Sequence, residues 1–325
     1  MTIDHAIAYW IAAPGHGELR PETLPEPAAD EVIVQTHYSG VSRGTESLVF
    51  AGAVPESQWQ HMRAPFQAGE FPGPVKYGYA SVGKVVGGAL PLRDQWVFCL
   101  YPHQTRYVVP VSAVHVLPAG VAPERAVLAA NMETAVNAVW DAQVLPGDEV
   151  RVIGAGSVGL LTAWLASRIA GCRVQLIDTQ ARRAPVAQQL GLDFALPGEA
   201  RGQADVVIHA SGSPEGLALA ISLAGFEACI TELSWYGNRP VSLELGGAFH
   251  SQRLTLRSSQ VGTVASPQRN RWSHTRRLAL ALTLLRDPAL DALLNSSGRF
   301  TDLPTDMPRL AQRAGDVIMH RVCYD

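Results

Sequence analysis

Covalent stapling has little to work with in this 325-residue chain, whose four cysteines, Cys99, Cys172, Cys229 and Cys323, stand far apart in sequence. They make no CxxC pair and no Cys/His cluster at zinc-ligand spacing, so a metal site is not expected from them. The opening residues include Asp4 and His5 and have neither the basic start nor the apolar stretch of a secretory leader. A cytoplasmic, reducing setting is the expectation, with the cysteines as small buried hydrophobes. Charge of one sign is missing too: 26 Lys+Arg stand against 29 Asp+Glu, a net charge of −3, without the basic excess that a nucleic-acid partner requires. No run of about 18 apolar residues occurs, so no membrane span is expected. Repeats and low-complexity stretches are also absent. What remains is a chain 47% hydrophobic and 17% charged, too long for one comfortable core, and two domains are the expectation.

The texture changes along the chain. Up to about residue 118, short β-type runs at 31–36, 80–86, 95–100 and 106–109 alternate with Gly and Pro, the pattern of an irregular β-barrel. From residue 122 the segments lengthen and take helical periodicity, first at 123–141. Strands are then predicted at 149–153, 173–177, 205–210 and 227–233, with helices at 158–170, 182–191 and 214–224 between them. Strand-helix alternation is the sequence form of a doubly wound parallel sheet, so an α/β domain of Rossmann type is predicted. The proposed boundaries are 1–121 and 122–276, and the tail 277–325, with a helix at 276–286 and a strand-like run at 317–324, is expected to return to the first domain.

The strongest local signal is an apolar strand running into Gly154-Ala-Gly156-Ser-Val-Gly159. Gly154 permits the tight turn, Gly156 lets backbone approach a pyrophosphate, and Gly159 lets the helix sit close on the strand. Ser157 and Val158 open that helix, whose free N–H groups favour phosphate. Asp178 ends the next strand, where a carboxylate accepts hydrogen bonds from the adenosine ribose and repels a 2′-phosphate. NAD is therefore the expected cofactor, with NADP less favoured. Arg182 and Arg183 follow closely and would suit a 2′-phosphate only if turned inward, with a solvated helix start as the plainer reading. Ser211 and Gly212 after the third strand, and Ser234 and Trp235 after the fourth, join the candidate cofactor set, and 256–260 is a further strand end where the nicotinamide would reach.

With these residues in view, the chain resembles the medium-chain dehydrogenase/reductase superfamily, the zinc-type alcohol dehydrogenase-like group, over nearly its full length. The resemblance rests on Ser39-Gly-Val-Ser-Arg-Gly-Thr-Glu46, Tyr77-Gly-Tyr-Ala-Ser-Val-Gly83, Glu133-Thr-Ala-Val-Asn137 and Pro146-Gly-Asp148. Within the superfamily it is most similar to the group of the bacteriochlorophyllide a dehydrogenase. It implies a GroES-like catalytic domain before the Rossmann domain and, by analogy, a homodimer that pairs edge strands. It also shows where the pattern departs. The family's zinc-ligand positions read here as Ser42, Tyr79 and Ala130, which cannot hold Zn²⁺, so no zinc is expected.

Without a metal, another group must manage the proton that accompanies hydride transfer. Tyr79 is the candidate, with Ser42 and Thr45 as a relay, and Glu133 and His103 as the other titratable groups. Each has a plainer reading: Tyr79 as a packed aromatic, Glu133 as a backbone holder at the domain junction, His103 as a loop histidine. Arg269, Arg271, Arg276 and Arg277 beside Trp272 would suit an anionic or planar substrate if they face a cleft, and are a charged helix start otherwise. The expected function is hydride transfer between NAD(H) and a small-molecule secondary alcohol or carbonyl. The alternatives are an NADPH-dependent quinone or enoyl reductase and a dinucleotide-binding protein without turnover.

Overall fold

The computed structural model describes residues 5–312 and 315–324; residues 1–4, part of the opening stretch read above for a leader, lie outside the described residues, as do 313–314 and 325. The chain begins with β1 (His5–Ala13), β2 (His16–Thr23), β3 (Glu31–Val41) and α1 (Arg43–Phe50). Six further strands follow: β4 (Ala68–Gly69), β5 (Val75–Lys76), β6 (Ser81–Gly88), β7 (Trp96–Cys99), β8 (Arg106–Pro110) and β9 (Val114–Val116). After α2 (Ala129–Ala142) come β10 (Glu149–Ile153), α3 (Ser157–Ala166), β11 (Arg173–Ile177), α4 (Ala184–Gln189), β12 (Asp193–Ala195), β13 (Ala204–His209), α5 (Pro214–Leu223), β14 (Ala224–Glu232) and β15 (Thr255–Ser258). The chain closes with α6 (His274–Leu284), β16 (Ser296–Arg299), α7 (Leu303–Leu310) and β17 (His320–Cys323).

Two units result, one of Met1–Ala130 with Leu282–Asp325 and one of Asn131–Ala281. The first division falls inside α2, later than the sequence pattern placed it. The cause is packing: a Cβ on Gly40 of β3 would lie 3.0 Å from the carbonyl of Val127, so the segment before α2 rests on the first sheet. Arg125 also grips the returning tail, donating to both oxygens of Asp291 at 2.7 and 2.8 Å and to the Leu285 carbonyl at 3.1 Å.

Among the described residues, the first unit has a seven-stranded sheet, ordered β16-β17-β3-β6-β7-β9 with β8 also on β3, and a four-stranded sheet, β2-β1-β5-β4. β3 is central because it alternates: Val32, Val34 and Thr36 are buried while Ile33 and Gln35 between them are partly exposed, the period-two pattern of a strand with one covered face. The second unit is a six-stranded parallel sheet ordered β12-β11-β10-β13-β14-β15. Its inner strands carry Val150, Val152, Ile153, Val174, Leu176, Ile177, Val207 and Ile208, all buried, because helices cover both faces. The strand order reverses between β10 and β13, and the crevice outside the carboxyl ends at such a reversal is where this architecture binds ligands. The ends are level: Ile153 lies opposite Ile177 and His209, and His209 opposite Glu232. No helix among the described residues is long and apolar enough to cross a membrane.

Candidate active site

In the second unit the glycine turn fits the demands of a dinucleotide. Gly154 has φ +107°, and a Cβ on it would come within 2.7 Å of the Ser211 amide nitrogen. A Cβ on Gly159 would lie 1.8 Å from the Gly154 carbonyl oxygen, so only glycine lets α3 begin this close to β10. Gly156 differs: it is exposed, and a Cβ there would meet nothing within 4 Å, which leaves an open approach to the first turn of α3 at Ser157 and Val158. A pyrophosphate fits that opening, with the helix N–H groups and dipole favouring its charge. Asp178, just beyond β11, accepts from the Ala155 amide at 2.6 Å and from the Gln180 amide at 2.8 Å. The carboxylate thus braces the glycine turn, and each oxygen keeps lone-pair capacity for a sugar hydroxyl.

Arg183 is buried in its short turn, and the exposed Arg182 reaches Gln180 at 2.7 and 3.0 Å. Beyond β13 and β14, the Gly212 amide donates to Ser234 Oγ at 3.0 Å, which fixes the two strand-end loops to each other, and Trp235 is half-buried beside them. Glu133 lies in this unit, buried and paired with Arg277 at 3.1 Å. Burial pushes its carboxyl up, against the opposing pull of Arg277. Arg277 also donates to the Val261 and Thr263 carbonyls and to Asn137. Of the other arginines in that run, Arg276 stacks over Trp272 at 3.9 Å and Arg271 donates to Gln268, so their contacts are local.

In the first unit the structure brings Tyr79, Ser42, Thr45 and His103 into one network. The half-buried Tyr79 hydroxyl takes hydrogen bonds from Ser42 and Thr45. Burial and the nearby Glu46 carboxylate push its pKa up to about 12, against the pull of those two hydroxyls. Ser42 stands at the N-terminal boundary of α1 without a side-chain capping bond, and Glu46, one turn into that helix, reaches back to accept from the Ser42 amide at 2.7 Å. The other oxygen of Glu46 meets His103 Nε2 at 2.9 Å. His103 Nδ1 meets Ser39 Oγ at 2.7 Å, and Ser39 in turn meets the Tyr324 hydroxyl at 2.9 Å. Ser39, Glu46 and His103 are all less than 4% exposed.

The positions where the family pattern places ligands hold a hydroxyl, a phenol and a methyl group, and among the described residues no group of three or more His, Cys, Asp and Glu side chains could hold a metal ion. Glu46, Ser39 and Tyr324 escaped the sequence reading, as did His209, Glu232 and Tyr236 at the cofactor edge. Ser39 and Glu46 were visible only as the ends of a motif, and His209 only as a histidine closing an apolar strand just before small residues.

No protein-family model matches the chain. Among curated proteins, the D-guloside 3-dehydrogenase of Escherichia coli (strain K12) is 26% identical over 279 residues, 76% of this chain and 79% of its own length. Among solved structures, one from Sinorhizobium meliloti named as a zinc-binding dehydrogenase, bound to NADP, superposes with TM-score 0.77 at 18% identity, covering 98% of this chain and 99% of its own. A structure named as a short chain alcohol dehydrogenase, from Escherichia coli CFT073 in complex with NADH, gives TM-score 0.78 at 16% identity, with 98% of this chain and 99% of its own covered. At such identities the structural likeness establishes the fold, which is the two-domain fold of the medium-chain dehydrogenases. The curated relatives, dehydrogenases themselves, support the zinc-type alcohol dehydrogenase-like superfamily and an NAD(P)-dependent dehydrogenase.

Proposed function

We propose that this chain is a zinc-independent, cytoplasmic NAD-dependent oxidoreductase that moves a hydride between nicotinamide and a small secondary alcohol or its carbonyl partner. It would be a zinc-less member of the superfamily, akin to the bacteriochlorophyllide a dehydrogenase group. The observation that carries this reading is the Tyr79 phenol, held by Ser42 and Thr45 where metal-dependent relatives keep ligands. The bound nicotinamide would supply or accept the hydride. Gly154, Gly156, Ser157, Val158 and Gly159 would hold its pyrophosphate and Asp178 its adenosine ribose, with Ser211, Gly212, Ser234 and Trp235 along the same edge.

In reduction, Tyr79 donates its proton to the substrate oxygen as negative charge develops there. An aliphatic alkoxide is a stronger base than a phenolate, so the transfer runs downhill even from a phenol with its pKa raised to about 12. Ser42 and Thr45 stabilise the phenolate left behind and pass a proton back. In oxidation the same groups work in reverse. Asp178 favours NAD over NADP and so weighs against a quinone or enoyl reductase. The outer strand β15 exposes Thr255, Leu256 and Ser258, and an edge of this kind suits pairing with a second copy.

Tyr79→Phe tests the mechanism. Turnover should fall by about 10²-fold or more, the usual worth of a positioned acid, while NADH still binds. Dialysis against EDTA should leave turnover unchanged. Unaltered turnover in the phenylalanine variant, or a loss that added zinc restores, overturns the reading.

A further inference from the structure

A second chemical arrangement sits at the carboxyl edge of the parallel sheet; it shares Ser211 with the proposed cofactor edge, but the hydride step calls on neither its imidazole nor its carboxylate. β13 ends in His209 and β14 in Glu232, and the register sets these two residues side by side. His209 Nδ1 lies 2.7 Å from Glu232 Oε2, and His209 Nε2 lies 2.6 Å from Ser211 Oγ. Glu232 is held from two further directions, its Oε1 accepting from the Ser234 amide at 2.6 Å and its Oε2 from the Tyr236 hydroxyl at 2.9 Å. Burial pushes the Glu232 carboxyl up, but the bonds from His209 and Ser234 outweigh it and hold the group below its usual range. A carboxylate only accepts, so it fixes the proton of His209 on Nδ1 and turns the bare Nε2 lone pair toward Ser211.

Burial follows the same order. The His209 side chain is fully buried and Glu232 nearly so, whereas Ser211 is exposed. The fold also keeps this contact clear: a Cβ on Gly216 would fall 2.4 Å from Ser211 Oγ and 2.7 Å from His209 Nε2, so the first turn of α5 passes directly over the pair and needs glycine there. Hydroxyl, imidazole and carboxylate in this sequence of contacts are the parts of an activated serine nucleophile.

We infer that Ser211, His209 and Glu232 form a nucleophilic triad, through which Ser211 takes up the acyl group of an activated carboxylic ester. In that step a bond forms between Ser211 Oγ and the acyl carbon while the bond from that carbon to the leaving oxygen breaks. The Oγ proton passes to His209 Nε2 and from there to the departing oxygen, and nothing is oxidised or reduced. The nearest amides are engaged, Gly212 with Ser234 Oγ and Ser213 with Ser211 Oγ itself at 3.2 Å. With those donors occupied, acylation and hydrolysis both proceed with little oxyanion support, so an ester with a good leaving group acylates Ser211 faster than water hydrolyses the unactivated acyl-serine, and one acyl group per chain accumulates ahead of slow turnover.

The test uses the whole protein without cofactor, so its outcome is separate from the dinucleotide reading. With p-nitrophenyl acetate as probe, the expected result is a burst of p-nitrophenol close to one per chain and a single acetyl group on the peptide that contains Ser211. Ser211→Ala, a change at an exposed side chain, should abolish the burst, and Glu232→Gln should slow it on the order of 10²-fold or more. A burst that survives Ser211→Ala, acetyl groups confined to lysines, no labelling at all, or a Glu232→Gln rate equal to the unaltered protein's would each overturn the inference.

Discussion

At the scale of single residues, Tyr79 decides how the proposed chemistry responds to pH. Its pKa of about 12 keeps the phenol protonated over the whole working range, so the reductive rate should show no loss from its ionisation up to pH 10. Ser42 is the complementary probe. Ser42→Ala removes one of the two hydroxyls that stabilise the phenolate, and since one hydrogen bond is worth about 1 kcal/mol, kcat should drop by roughly five- to tenfold with KM little changed. Steady-state kinetics in both directions checks each statement. A reductive rate that fell between pH 7 and 9 with the Ser42 variant unimpaired would remove this network from the reaction. Tyr79, Ser42 and Thr45 could be named as candidates because they stand in glycine-bearing motifs, and the structure joins the three by hydrogen bonds. Glu46 was not among them, since a glutamate in the first turn of a short helix reads as solvated until packing shows it buried against His103. His103 could be named but not understood, because Ser39, Glu46 and Tyr324 reach it from three distant parts of the chain.

Among the elements, β17 shows how a returning segment is tied in and how that tie depends on pH. His320, its first residue, pairs with Val41 of β3 and is 1% exposed, with Nδ1 2.8 Å from Ser296 Oγ of β16. Burial lowers its pKa to about 4; Asp306, with an oxygen 3.8 Å from Nε2, opposes the shift, and Arg309 and His103 add to it. The folded state therefore binds this proton less readily than the unfolded chain. Stability from this source is complete above the ordinary histidine pKa and is lost as pH falls from about 6.5 toward 4, amounting to about 2–3 kcal/mol. Urea denaturation at pH 7 and pH 4.5 should show that loss, and His320→Gln should remove that portion of the slope. Equal pH slopes for the two proteins would show that His320 is not buried neutral. The strand-helix alternation of 149–232 was legible because continuous apolar runs broken by helical periods leave few other architectures. The β1–β2 hairpin went unread, because the outward face of β1 carries the apolar Ile7 and the second strand carries an exposed Pro21.

For the molecule as a whole, the two units divide the proposed labour, the proton network in one and the cofactor grip in the other, and cofactor binding should register as added stability. A ligand that binds only the folded form at a hundred times its Kd contributes about 2.7 kcal/mol, which raises Tm by several degrees in a protein of this size. NADH should produce that rise and NADPH much less, because the second phosphate would meet the Asp178 carboxylate. The doubled role of Asp178 sharpens the test, since the same carboxylate accepts from the Ala155 amide at 2.6 Å inside the glycine turn. Asp178→Ala should therefore lower NADH affinity by more than the lost sugar contacts alone, and should leave NADPH weak as well, because the brace on the turn goes with the charge. If instead the alanine variant bound NADPH as tightly as the unaltered protein binds NADH, Asp178 would be acting as a charge filter only, and the glycine turn would hold its shape without it.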